Sequence, residues 1–167
     1  MKRTLSRLLT ISIALLTLVG VALGIVLIKS HGDFKKNADI IVSEDETIKV
    51  KDLDVSLTGF YPGKSQEYGI SLVCEAEGSY KITLSFKKVG DGTLENYIDT
   101  EVSADGESKG ANLLKNYFEG EEVSFNANVD SKEPLVINVK YSMPLEVGDE
   151  AQNAVTNFDL TVKIEKE

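Results

Sequence analysis

Residues 156–167 read TNFDLTVKIEKE, and within them Phe158, Leu160, Val162 and Ile164 alternate with Asp159, Thr161, Lys163 and Glu165. A period of two sends successive side chains to opposite faces of an extended chain, so the run predicts a strand with one buried and one wetted face. The same parity recurs upstream in Tyr68, Ile70, Leu72 and Cys74, in Tyr80, Ile82, Leu84 and Phe86, in Val123, Phe125, Ala127 and Val129, and in Leu135, Ile137, Val139 and Tyr141. Ile48 and Val50, followed by Leu53, Val55 and Leu57, form another run, and residues 97–103 (YIDTEVS) a weaker one. Between these runs stand Tyr61-Pro-Gly-Lys64, Glu77-Gly-Ser79, Gly90-Asp-Gly92, Asp105-Gly106, Glu119-Gly120 and Val147-Gly-Asp149. Gly supplies positive φ and Asp hydrogen-bonds its own turn, so each is a chain reversal. Seven or eight short strands with this punctuation predict an all-β, antiparallel β-sandwich. Only Lys109–Phe118 has the spacing for a helical turn or two, with Leu113, Leu114, Tyr117 and Phe118 on one side.

The strongest single signal lies at the other end. Residues 8–28, LLTISIALLTLVGVALGIVLI, hold no charge over 21 positions. As a helix rising about 1.5 Å per residue they would span roughly 30 Å, the thickness of a hydrocarbon core. Lys2, Arg3 and Arg7 precede the run, which predicts a cytoplasmic N-terminus and an extracytoplasmic remainder. Two fates stand open. Ala22-Leu23-Gly24 fits a small-x-small cleavage rule loosely, whereas Ile25–Ile28 would leave an apolar new terminus, as suits a retained anchor. Three parts follow: 1–29, signal peptide or signal anchor; 30–46, a polar stalk or donor-strand segment; 47–167, the β-sandwich domain.

The 167 residues carry 18 basic and 27 acidic side chains. Four of the basic ones, Lys2, Arg3, Arg7 and Lys29, flank the apolar run, so the exported part holds 14 against 27, a net −13. That balance repels a phosphate backbone, and nucleic acid is not an expected partner. The single cysteine, Cys74, forms no intrachain disulfide, and its strand parity predicts a buried, inert thiol.

The closing block has a further use. Tyr141-Ser-Met-Pro144, Val147-Gly-Asp-Glu150, Gln152-Asn153 and Phe158-Asp-Leu160 resemble the end of the TasA/camelysin family of exported Gram-positive biofilm-matrix proteins. Phe60-Tyr-Pro-Gly63, Gly78-Ser-Tyr-Lys81 and Leu94-Glu-Asn-Tyr-Ile98 extend the likeness over roughly residues 48–165. The resemblance implies a jelly-roll-like sandwich, processing by a signal peptidase and partners that are like or related fibre subunits. It also brings in metallopeptidase activity, described for some members. A zincin needs two His on one helical face with a Glu between them, and the only His here is His31, beside the apolar run.

Other chemistry finds little support. No EF-hand register, Gly-x-Ser-x-Gly elbow or Gly-rich phosphate loop occurs; Gly90-Asp-Gly-Thr-Leu-Glu95 comes nearest to a Ca²⁺ loop. The acids Glu44-Asp45-Glu46, Asp105 with Glu107, Glu119 with Glu121 and Glu122, and Asp149-Glu150 read as solvated turns. No cofactor is expected. Tyr61 and Tyr68 read as core or strand-edge residues, with a small exposed contact patch as the alternative. The main candidate site is Asp39, Ile40, Ile41 and Val42, either the domain's own first edge strand or a strand added to a neighbouring subunit. The expectation is therefore a non-enzymatic cell-surface or matrix protein acting by strand addition. The alternative is a membrane-anchored adhesion or ligand-binding module whose loops make the contact.

Overall fold

A computed structural model describes residues 36–129, 131–148, 151 and 153–167. The apolar run 8–28, His31, Asp149, Glu150 and Gln152 lie outside them. Among the described residues no helix is long and apolar enough to cross a membrane.

Among the described residues nine strands follow in order: β1 (Lys36–Val42), β2 (Ile48–Leu57), β3 (Ser65–Cys74), β4 (Gly78–Val89), β5 (Asp99–Ala104), β6 (Glu107–Leu113), β7 (Val123–Val129), β8 (Leu135–Ser142) and β9 (Thr156–Lys166). A 3₁₀ turn at Leu94–Tyr97 precedes β5, and a short helix, α1 (Leu114–Phe118), follows β6. One sheet has the order β1-β3-β8-β5-β6 and the other β2-β9-β4-β7. Strands 2-9-4-7 facing 3-8-5-6, all antiparallel, make the jelly-roll sandwich, with β1 added at one edge.

β5 and β6 are the one pair that are neighbours both in sequence and in a sheet. They turn through Asp105 (φ 47°) and Gly106 (φ 83°), two consecutive positive φ values that match the twist of a two-residue hairpin. Every other pairing joins strands that are not consecutive in the chain.

The alternation read from sequence sets what is buried. In β9, Phe158, Leu160, Val162 and Ile164 are each no more than 1% exposed, and in β8, Leu135, Ile137, Val139 and Tyr141 point inward. Tyr80, Ile82, Leu84 and Phe86 of β4 complete one wall, and Ile70, Leu72 and Cys74 of β3 the other. At the centre Phe158 meets Phe118 at 5.5 Å, Tyr141 at 5.8 Å and Phe86 at 6.0 Å between ring centroids, while Phe86 stacks on Tyr117 at 4.8 Å. This aromatic group joins both sheets and α1.

The structure differs from the sequence reading in three places. The segment expected to be helical from Lys109 is strand as far as Leu113, and only Leu114–Phe118 is helix. Its sequence, ESKGANL, lacks alternation because it is a largely solvated edge, and Gly110 lets it approach β7: a Cβ there would sit 3.1 Å from Val123 Cγ2. The weak run at 97–103 starts as the 3₁₀ turn, and the strand begins at Asp99. Finally, β1 runs parallel to β3, the one parallel pair in an otherwise antiparallel fold.

Candidate functional site

Asp39, Ile40, Ile41 and Val42 all lie on β1, at the outer edge of the five-stranded sheet. Period two divides them. Ile40 (2% exposed) and Val42 (1%) enter the core opposite Leu72 and Cys74, whereas Asp39 and Ile41 face outward opposite Ser71 and Val73. The Glu75 amide donates to Val42 O at 2.9 Å, extending the ladder past the strand's end. Half of this segment's side chains therefore serve the domain's own interior.

The acids are placed as turn and edge chemistry. Glu46 accepts from the Ser43 amide at 3.0 Å and from Lys49 Nζ at 2.8 Å, and the lysine and amide hold its carboxyl below the usual carboxylate range. Asp105 Oδ1 accepts from the Val136 amide at 3.2 Å, Glu107 pairs with Lys109 at 2.9 Å, and Glu121 accepts from Asn112 Nδ2. Among the described residues no three His, Cys, Asp or Glu side chains converge as a metal site. Cys74 is fully buried, and burial raises its thiol pKa against the opposing pull of the Tyr80 hydroxyl and Lys166.

The exposed apolar side chains are unevenly distributed. The pairs Leu57–Thr156, Val89–Asn157, Ser65–Ser142 and Asp99–Leu113 bring the ends of β2, β4, β6 and β8 and the starts of β3, β5 and β9 to one end of the sandwich. Of eight exposed large hydrophobic residues among those described, five gather there: Tyr61 (61% exposed), Val89, Leu113, Leu145 (76%) and Val155. Strands that end together leave their loops to cover the seam, and these loops carry apolar side chains into water.

Two of the five are rigidly held. Tyr61-Pro62-Gly63-Lys64 is a tight turn closed by the Lys64 amide donating to Tyr61 O at 2.9 Å, with Pro62 fixing one φ and Gly63 supplying +84°. The turn is tied to the β8–β9 loop by Gly63 N to Met143 O and Met143 N to Lys64 O, both 2.9 Å. A Cβ on Gly63 would come within 2.9 Å of Leu145 Cδ2, so the absent side chain is what seats Leu145 against the turn. Phe60, 3% exposed, anchors the loop from below. Lys64 Nζ donates to Gly59 O at 2.8 Å and lies 5.2 Å from the Phe60 ring centroid and 5.8 Å from that of Tyr61. The exposed turn thus sets Tyr61 beside Leu145 and not beside Tyr68, which is half-buried on β3 with its hydroxyl pKa raised, first by burial and then by Asp54.

Under the same loops lies a polar interior. The inward parity of β4 continues past Phe86 to Lys88, whose Nζ donates to Glu95 Oε1 at 2.5 Å and to Gly92 O at 2.6 Å. Glu95 is 5% exposed and its Oε2 has no hydrogen-bond partner; the same holds for the buried oxygens of Thr100, Tyr141 and Thr156. Burial pushes the Tyr141 hydroxyl pKa well up. Gly92 is obligatory here, because a Cβ would meet Val155 O at 2.3 Å and Thr156 Cα at 2.8 Å. Sequence reading did not find Leu145, Val155 or the Lys88–Glu95 pair. The available signals were the apolar pair around Pro144 in a loop and the parity running on to Lys88.

No family model matches this chain, and no curated protein matches it. Solved structures do. The periplasmic g-type lysozyme inhibitor PliG of Aeromonas hydrophila is 15% identical, over 76% of this chain and 99% of that one, with a TM-score of 0.40. A family 35 carbohydrate-binding module of Clostridium thermocellum is 8% identical over 73% and 100%, with a TM-score of 0.37. The pre-peptidase C-terminal domain of a Bacillus anthracis collagenase is 11% identical over 78% and 99%, with a TM-score of 0.36. At these identities the likeness is to general fold alone.

Proposed function

We propose that this chain is an extracytoplasmic, membrane-tethered, non-catalytic module that binds through the apolar end of its sandwich. The observation that carries this reading is the clamped pair Tyr61 and Leu145, held out into water by two backbone hydrogen bonds and a glycine contact. An exposed apolar group on a rigid turn is desolvated at little entropic cost when a partner covers it, which favours contact sites of this kind. The uncharged run 8–28, with Lys2, Arg3 and Arg7 before it, supports tethering and an extracytoplasmic position. A photo-cross-linking side chain at position 61 of the full chain, in its native envelope, is expected to give several-fold more adducts than one at Glu77 on the opposite end. Equal yields would remove the loop end as the binding surface.

One observation favours the fibre reading shared with the TasA/camelysin family. β1 pairs on one side only and presents Ile41, 55% exposed, beside that open edge. Removing residues 37–43 is a poor test because it strips Ile40 and Val42 from the core. A charge on an edge strand blocks strand addition without touching the interior, so Ile41→Lys is expected to abolish fibre or dimer formation at unchanged stability. Assembly that persists in Ile41→Lys, measured by light scattering and electron microscopy, excludes this reading.

A further inference from the structure

We infer that the loop end of the core is a built site for bound water, formed by Glu95, Thr100, Tyr141 and Thr156 beneath the 90–98 loop. The first argument is where these side chains meet. Among the described residues, five buried side-chain oxygens have no hydrogen-bond partner. One is Asn138 Oδ1, on the outward parity of β8; the other four belong to the last interior layers at a single end of the sandwich. Thr100 lies directly opposite Tyr141 on neighbouring strands, both facing inward. On the facing sheet Lys88 is opposite Phe158, whose ring meets that of Tyr141 at 5.8 Å, and Thr156 stands two residues before Phe158 with the same parity. The loop from β4 to β5 closes over them. Gly92 lies against Thr156, the Thr93 amide donates to Val155 O at 3.2 Å, and the 3₁₀ turn brings Glu95 inward onto Lys88. Glu95, Thr100, Tyr141 and Thr156 are 5%, 1%, 0% and 0% exposed, so bulk solvent satisfies none of the four oxygens.

The second argument is chemical. Three of the four groups are hydroxyls, each with an O–H to donate, and the fourth is a carboxylate oxygen that only accepts. A guest must therefore accept from hydroxyls and donate to Glu95 Oε2. Its charge is fixed as well. The Glu95 carboxylate is matched by Lys88 Nζ, so a cation would leave an unbalanced positive charge in the interior and an anion an unbalanced negative one. Small, neutral and both donor and acceptor describes water, which makes about three hydrogen bonds when buried. The third argument is energetic. A buried polar group without a partner bears its full desolvation penalty, and four together would offset much of a domain's stability. Bridging water removes that penalty for a modest loss of its own freedom. The Lys88 side chain, one-third exposed, marks the route by which solvent reaches the layer. Glu95 is thus seated through solvent as well as through Lys88, whatever the outer loops contact.

The sign of hydroxyl removal tests this. Thr100→Val, Tyr141→Phe and Thr156→Val keep each side chain's shape nearly unchanged and take away the oxygen. With water in place, each variant strips that water of a partner, so the urea midpoint of the full chain in detergent micelles is expected to fall. Thr100→Val combined with Tyr141→Phe should lose less than the two singles added, because neighbouring hydroxyls share one water. Midpoints that rise in all three variants would mean that the hydroxyls stand in a dry interior, where removing an unpartnered group stabilises, and the inference fails. A direct measurement on the unaltered full chain decides the matter should a variant not fold. Nuclear Overhauser transfer from long-lived water is expected at the methyl groups of Thr100 and of Leu57, which lies opposite Thr156, and not at those of Ile137, deeper in the core. No transfer at either Thr100 or Leu57 overturns the site.

Discussion

Replacing Phe158 with alanine is expected to cost about 3–5 kcal/mol, against a total stability of about 5–15 kcal/mol for a domain of this kind. Phe158 is 1% exposed and sits where the two sheets and α1 meet, with the rings of Phe86, Phe118 and Tyr141 all within 6.0 Å. Truncation removes the ring's transfer free energy and leaves a hole that closes poorly, because its walls belong to two separate sheets and to α1. Urea denaturation should show a lower midpoint at similar slope. A loss under about 1 kcal/mol would mean that the two sheets repack without the ring.

The second large effect is at Lys88→Met. Glu95 is buried and its charge is met by Lys88 Nζ alone among the cations described, so removing the ammonium leaves an unpaired carboxylate under the loops. Loss of one partner of a buried pair costs about 3–5 kcal/mol, and the one-third exposure of the Lys88 side chain lowers the expectation here to about 2–3 kcal/mol. The double variant Lys88→Met, Glu95→Leu should recover most of this, because no charge then remains to be solvated. A double as unstable as the single would show that the lysine stem, rather than the charge, holds the 90–98 loop. Hydrogen exchange in that loop gives the local readout.

Much of the sandwich was legible from residue spacing because period two reports burial directly. Strands β3, β4, β7, β8 and β9 were placed by their inward residues, and Asp105-Gly106 marked the one local hairpin. β6 was not legible: a solvated edge strand needs no alternation, so ESKGANL carries none. The parallel pairing of β1 was equally hidden, since parity says which face a side chain takes but not which neighbour the backbone chooses. The loop end was half visible. Tyr61 stood out beside Pro62-Gly63, but its partner Leu145 is 84 residues away and is brought there by the Met143 hydrogen bonds. Contacts between distant loops follow from topology, which residue spacing does not report.

The position of β9 has a consequence for how the molecule is made. It lies between β2 and β4, and both ladders of the four-stranded sheet's centre run through it. Until Thr156–Lys166 arrives, β2 has no partner in its sheet and β4 has only β7. Ladders that join the ends of a chain form slowly, because loop closure is paid before the contacts form. Any copy that stops short of Thr156–Lys166 therefore leaves the four-stranded sheet without its centre and cannot complete it.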